Sequence, residues 1–119
     1  MDVRLRDAGP GQLILRPVGE VDMATADTLD AALADALSRP GTRELVVDLT
    51  EVRFLDSSGV RVLVGAAATA RRDGVAFRVT DPQPIVARVL RITSVGALLG
   101  LGADGPPRPA EQGFRGLDR

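Results

Sequence analysis

The sequence has no histidine, cysteine, tryptophan, tyrosine or lysine. Without an imidazole or a thiol, the Ser-His-Asp and Cys-His nucleophilic mechanisms have no material to work with. Zinc sites built from His and Cys fall for the same reason, and disulfides are excluded. A carboxylate-only site for magnesium or calcium stays open. The lack of lysine removes the Walker phosphate loop, whose lysine reaches the β- and γ-phosphates. All 15 basic residues are arginine, a uniformity that reads as coding bias more than as function. Three phenylalanines are the only aromatics, and 16 acidic residues against 15 basic ones leave a net charge of −1. A nucleic-acid binder needs a basic surplus, and a single-strand binder adds stacking aromatics; nucleic acid is therefore not expected as a partner. No apolar run reaches the length that spans a bilayer. The opening residues, Met1-Asp2-Val3-Arg4-Leu5-Arg6, alternate charge with apolar side chains, unlike a signal peptide. No membrane association is expected, and the cytoplasm is the expected location.

What is present suits one domain with one core: 119 residues, 45% of them hydrophobic. Val3 and Leu5 suggest an opening strand that ends at Gly9-Pro10-Gly11, and Leu13 to Val18 suggest a second, making a hairpin. Over residues 24–38 the period becomes helical, with Leu29, Leu33 and Leu37 on one face and Asp27, Asp30 and Asp35 off it. Asp22 or Thr25 can cap that helix, and Pro40-Gly41 stops it. The run Leu45-Val46-Val47 predicts a central strand covered on both faces. A loop carrying Val52, Phe54 and Leu55 is expected next, then a helix over residues 60–72 with Leu63, Ala66, Ala67 and Ala70 inward. Arg71 and Arg72 suit the negative end of its dipole. A strand over residues 75–80, a helix carrying Val86, Val89 and Leu90, and a last apolar segment at Leu98, Leu99 and Leu101 complete the order β-β-α-β-α-β-α-β. The expected fold is α/β, a mixed sheet of four to five strands covered by three helices. Residues 1–102 are read as the domain and 103–119, rich in Gly and Pro, as a flexible tail.

Two motifs invite a chemical reading. Gly100-Leu101-Gly102-Ala103-Asp104-Gly105 fits the dinucleotide pattern G-x-G-x-x-G, but prolines 106 and 107 follow where a helix N-terminus must receive the pyrophosphate. It reads as an exit into the tail. Asp56-Ser57-Ser58-Gly59 stands between a strand and a helix, where hydrolases place a nucleophile. The nucleophile elbow G-x-S-x-G fails for both serines, since Leu55 and Asp56 stand two positions before them. With no histidine as base, an enzyme is not expected. Helix capping is the simplest reading of this segment. Three stacked polar residues are nevertheless more than a cap needs, and Val60 and Arg61 do not complete a capping box. Asp22, Asp27 and Asp30 read either as an acidic contact surface for a partner's cations or as a solvated helix face; Asp22 leans to the former.

Taken together, the Gly19-Glu20-Val21-Asp22 turn, the strand Leu45-Val46-Val47-Asp48-Leu49 with Asp56-Ser57-Ser58-Gly59 after it, and Val86-Ala87-Arg88-Val89-Leu90 resemble the anti-sigma factor antagonists of the bacterial STAS-domain family. The resemblance runs over about residues 2–101. It implies a STAS-like fold and partner switching in transcription regulation: the domain binds an anti-sigma factor that is also a serine kinase, and so releases a sigma factor. It further implies a phosphoprotein with Ser58 as acceptor, Ser57 being the less favoured, and a PPM-type phosphatase that resets the switch. Partner contacts are expected from Asp22, Thr25, Asp56, Ser57, Ser58, Gly59 and Arg61. ATP and Mg²⁺ would belong to the kinase, so no cofactor is expected for this chain. A phosphate on Ser58 would meet free amides and the positive end of a helix dipole. The alternative is a non-catalytic STAS subunit of a larger assembly, such as a lipid-transport or stress-sensing complex. Two departures stand out: Arg61 replaces the glycine of many relatives, and the Gly/Pro-rich tail stands where the family has a C-terminal helix.

Overall fold

The computed structural model of the chain describes residues 1–101. Its elements are strands β1 (Asp2–Gly9) and β2 (Gln12–Val21), helix α1 (Ala26–Ser38), strands β3 (Glu44–Asp48) and β4 (Val52–Leu55), helix α2 (Ser57–Arg72), strand β5 (Ala76–Thr80) and helix α3 (Pro84–Ile92). The ten-residue β2 organises the sheet. It pairs antiparallel with β1 through the hairpin, parallel with β3 over Gln12 to Leu15, and parallel with β4 over Gly19 to Val21. Strand β5 lies parallel to β3 on its other side, giving the order β1-β2-β3-β5 with β4 at the far end of β2.

The pattern of burial follows the period-2 rule of strands. Leu13 and Leu15 of β2, Leu45 and Val47 of β3 and Val79 of β5 enter the core, where Leu29 and Leu33 of α1, Leu63 and Ala66 of α2, and Val86 and Leu90 of α3 meet them. The alternate face of the sheet is held by polar pairs. Gln12 and Arg78 both donate to the carboxylate of Glu44, at 2.6 and 3.2 Å. The Arg16 guanidinium donates to Asp48 at 2.9 Å. Val46 sits on this second face in register with Ile14 and Arg78, and is buried. The three apolar residues of β3 are thus all enclosed, as their run predicts.

Helix boundaries have local causes. Helix α1 ends because Arg39, which precedes Pro40, takes the extended conformation (φ −68°, ψ 133°) that a following proline imposes. Helix α3 opens on Pro84, whose missing amide and fixed φ suit a first helical position. Helix α2 begins at Ser57, three residues ahead of the expected start at position 60, because Asp56 caps it.

The expected α/β fold, with a mixed five-stranded sheet and three helices, is present, but the order of elements differs in two places. Residues 52–55, expected as a loop, form β4. Val52 and Leu55 are buried while Arg53 and Phe54 are exposed, so there is no alternation to announce a strand; pairing with the second half of β2 creates it. The last apolar segment, Leu98 to Leu101, expected as a closing strand, forms turns instead. Leu99 is fully buried and accepts one bond at the edge of β5, from the Val79 amide at 2.8 Å, whereas Leu98 stays exposed. Gly100 allows that approach: its φ is +68°, and a Cβ there would lie 2.9 Å from the Arg78 Cβ. This packing explains the first glycine of the G-x-G-x-x-G match. The rest of that match beyond Leu101 and the tail at 103–119 lie outside the described residues.

Candidate functional site

Two polar turns leave the sheet side by side at the carboxyl ends of parallel strands. Val21 of β2 is in register with Leu55 of β4, and the Asp56 amide donates to the Val21 carbonyl at 3.1 Å. The turn after β2 (Asp22-Met23-Ala24-Thr25) is therefore tied directly to the one after β4. Ligands in open α/β sheets bind outside such carboxyl ends, because loops there gather side chains over a fixed frame.

The turn after β4 is built around Asp56. Its Oδ1 accepts from the Ser58 amide at 2.9 Å and from the Gly59 amide at 3.4 Å, the geometry of an N-cap. The same oxygen accepts the Ser58 hydroxyl at 2.5 Å. These bonds, with the Ser58 hydroxyl the strongest contributor, hold the Asp56 carboxyl below its ordinary pKa; partial desolvation opposes them. Ser57 is exposed and Ser58 half-buried on the first turn of α2. Gly59 is buried, and a Cβ at that position would stand 2.7 Å from both Leu55 Cδ1 and Val21 Cγ1. Only a residue without a side chain lets the helix start sit this close to the two strand ends.

The turn after β2 is fastened from within. Asp22 Oδ1 accepts from the amides of Ala24 and Thr25, at 2.9 and 3.2 Å. The Thr25 hydroxyl donates to the Glu20 carbonyl at 2.8 Å and accepts from the Asp22 amide at 3.0 Å. Thr25 occupies the N-cap position of α1 without a side-chain cap bond of its own. Its hydroxyl is spent on the turn, whereas Asp22 keeps Oδ2 without a hydrogen bond among the described residues.

Five of the seven residues singled out in the sequence thus share two adjoining turns: Asp22, Thr25, Asp56, Ser57 and Ser58. Gly59 lies beneath them as the contact that seats α2, and Arg61 lies one turn further along α2, exposed. Met23 joins these turns although no helical or strand period marks it. It is 85% exposed, between Asp22 and Thr25, and Phe54 is 41% exposed two residues ahead of Asp56. A large apolar residue inside a polar turn and outside any helical or strand period was the available signal. Among the described residues, no group of three or more Asp and Glu is placed to hold a metal ion, and no helix is long and apolar enough to cross a membrane.

The fold and the paired turns define a small mixed-sheet α/β domain with a polar edge at the carboxyl ends of β2 and β4. The chain belongs to the STAS domain family, whose profile matches residues 5–104. It is 32% identical over 85 residues to the anti-sigma F factor antagonist of Paenibacillus polymyxa, covering 71% of this chain and 73% of that protein. Among solved structures it is similar to an anti-sigma factor antagonist from Mycobacterium paratuberculosis: 27% identity, TM-score 0.69, 84% of this chain and 85% of the other. The fold also matches the anti-sigma factor antagonist SpoIIAA in its unphosphorylated form, with TM-score 0.72 at 18% identity over 95% and 96% of the two chains. The phosphorylated form of the Bacillus protein matches with TM-score 0.65 at 18% identity, over 82% and 87%.

Proposed function

We propose that this chain is an anti-sigma factor antagonist: it binds an anti-sigma factor that is also a serine kinase, releases a sigma factor, and is switched off by phosphorylation of Ser58. The observation that carries this reading is the placement of Ser58. Its hydroxyl stands on the first turn of α2, oriented by Asp56 and beside the Asp22 turn, in a chain whose relatives bear that name. The partner would rest on the edge formed by Asp22, Met23, Asp56, Ser57 and Ser58. Met23 supplies an apolar anchor and Asp22 a carboxylate for a partner cation.

In the modification step the Ser58 Oγ attacks the γ-phosphorus of ATP held with Mg²⁺ by the kinase. The Oγ–P bond forms, the bond to the β-phosphate bridging oxygen breaks, ADP leaves, and the hydroxyl proton passes to a base of the kinase or to water. A phosphatase of the PPM type would reverse the state by hydrolysis, returning the hydroxyl and releasing inorganic phosphate. The new group adds about −1.5 to −2 charges at neutral pH. Against one partner carboxylate at ~5 Å, with an effective dielectric of ~20, each unit charge costs roughly 3 kcal/mol. That is about two decades of affinity. Such a switch acts in the cytoplasm, where ATP and sigma factors are found.

The test is incubation of the chain with candidate kinases and Mg-ATP, followed by mass spectrometry, together with binding measurements on Ser58→Ala and Ser58→Asp. Phosphate on Ser58 and a Ser58→Asp affinity reduced by ~10-fold or more are expected. An unmodified Ser58 with unchanged Ser58→Asp binding would instead favour a non-catalytic subunit of a larger assembly. Turnover of a substrate by the isolated chain would show it to be an enzyme.

A further inference from the structure

We infer that Arg61 is the intramolecular counter-ion of the phosphate on Ser58, and so sets how far phosphorylation weakens partner binding. This deepens the reading above and rests on Ser58 being the acceptor.

Four amides at the start of a helix lack intrahelical partners. At α2 three of the four are already taken: the Asp56 amide by the Val21 carbonyl, and those of Ser58 and Gly59 by Asp56 Oδ1. The free-amide cradle expected from the sequence is therefore largely occupied. Esterification also removes the hydroxyl proton that Ser58 donates to Asp56. The ester oxygen can no longer donate there, and a dianion is placed beside the Asp56 carboxylate, with Asp22 on the adjoining turn. Both repulsions push the phosphate off the cap towards the exposed side of the helix.

Arg61 stands on that side. It is three residues after Ser58 and four after Ser57, the two spacings that make neighbours on a helix surface, with Cβ atoms ~5–6 Å apart. Helical side chains lean towards the N-terminus, so an arginine at position 61 can reach back over the turn that carries the serines. Arg61 is exposed and makes no hydrogen bond or ion pair among the described residues. Arg72, at the other end of the same helix, is held by Asp73. An unpaired guanidinium within one turn of the acceptor is matched to phosphate by its planar, forked donors. One unit of the added charge would be neutralised in place, leaving about 0.5 to 1 to repel the partner.

The experiment places phosphoserine at position 58 of the full chain during translation and follows its ³¹P NMR shift with pH. Wild type, Arg61→Gln and Arg61→Lys are compared, and amide spectra confirm that each is folded. The second ionisation of phosphoserine lies near pH ~6. It is expected ~0.3 to 0.5 pH units lower in wild type than in the Arg61→Gln chain, about a two- to threefold change in ionisation constant, with Arg61→Lys retaining part of the shift. The difference should shrink at about 0.5 M salt, where screening is short-ranged. Equal ionisation in wild type and Arg61→Gln overturns the inference. Because the phosphoserine is installed without the kinase, a kinase that leaves Ser58 unmodified defeats only the reading of the switch, and the two failures are told apart.

Discussion

At the scale of single residues, the site turns on Asp56, which caps α2 and holds the Ser58 hydroxyl with the same oxygen. That bond is the largest cause of its lowered pKa. Ser58→Ala should therefore raise the Asp56 pKa towards the ordinary carboxylate value of about 3.9, as a carbon-detected NMR titration would show. A depressed carboxyl stabilises the fold above the unfolded pKa and loses that contribution as pH falls through its native value, so in Ser58→Ala the acid-dependent loss should be smaller and complete at a higher pH than in wild type. Gly59→Ala tests the seating of the helix. Its Cβ would press on Leu55 and Val21, both deeply buried, at 2.7 Å. A loss of ~1–3 kcal/mol in urea denaturation is expected. The cap was legible in the sequence because Asp and Ser before a helix have few other local uses. The buried contact of Gly59 was not, since it depends on which strands lie below it.

At the scale of elements, the instructive cases are β4 and residues 98–101, whose expected assignments exchanged. Both are short apolar stretches, for which periodicity carries little information. Which one becomes a strand depends on access to a free edge of β2 or β5. Leu99 decides the second case, since it is fully buried and its carbonyl caps the edge of β5. Leu99→Ala should cost ~2–5 kcal/mol in chemical denaturation, a large part of a small domain's stability. The polar face of the sheet offers a pH test. Burial acts to raise the pKa of Asp48, but the hydrogen bonds from Thr50 and Arg16 and the charge of Arg16 together outweigh it and leave the group lowered. Its contribution is present above about pH 4 and disappears as pH falls through the lower native value. Asp48→Asn should accordingly flatten the acid limb of the stability profile, measured as the denaturation midpoint against pH.

At the scale of the whole molecule, the proposed switch sits on a frame that has no need to move. The two turns are fastened internally and to each other through the Asp56–Val21 bond, and Gly59 seats α2 on buried side chains. Phosphorylation of Ser58 is expected to shift amide resonances in residues 20–25 and 54–61 and leave the core unchanged in a ¹H–¹⁵N spectrum. Shifts spread through β3 and β5 would show that the modification refolds the domain rather than altering its surface.

The segment between Asp56 and Gly59 shows where the two levels divide. By itself the sequence determined that a polar, capped helix start follows a hydrophobic strand and that His- or Cys-dependent chemistry is excluded. These follow from residue type and near neighbours, which act within one helical turn or one strand. Only the tertiary structure decided that the Asp22 turn lies against this segment and that Met23 is left exposed beside it. Those facts come from parallel pairing of β2 with β4, an arrangement between residues more than thirty apart in the chain. No local preference encodes it, because the free energy that selects it comes from burying the core as a whole.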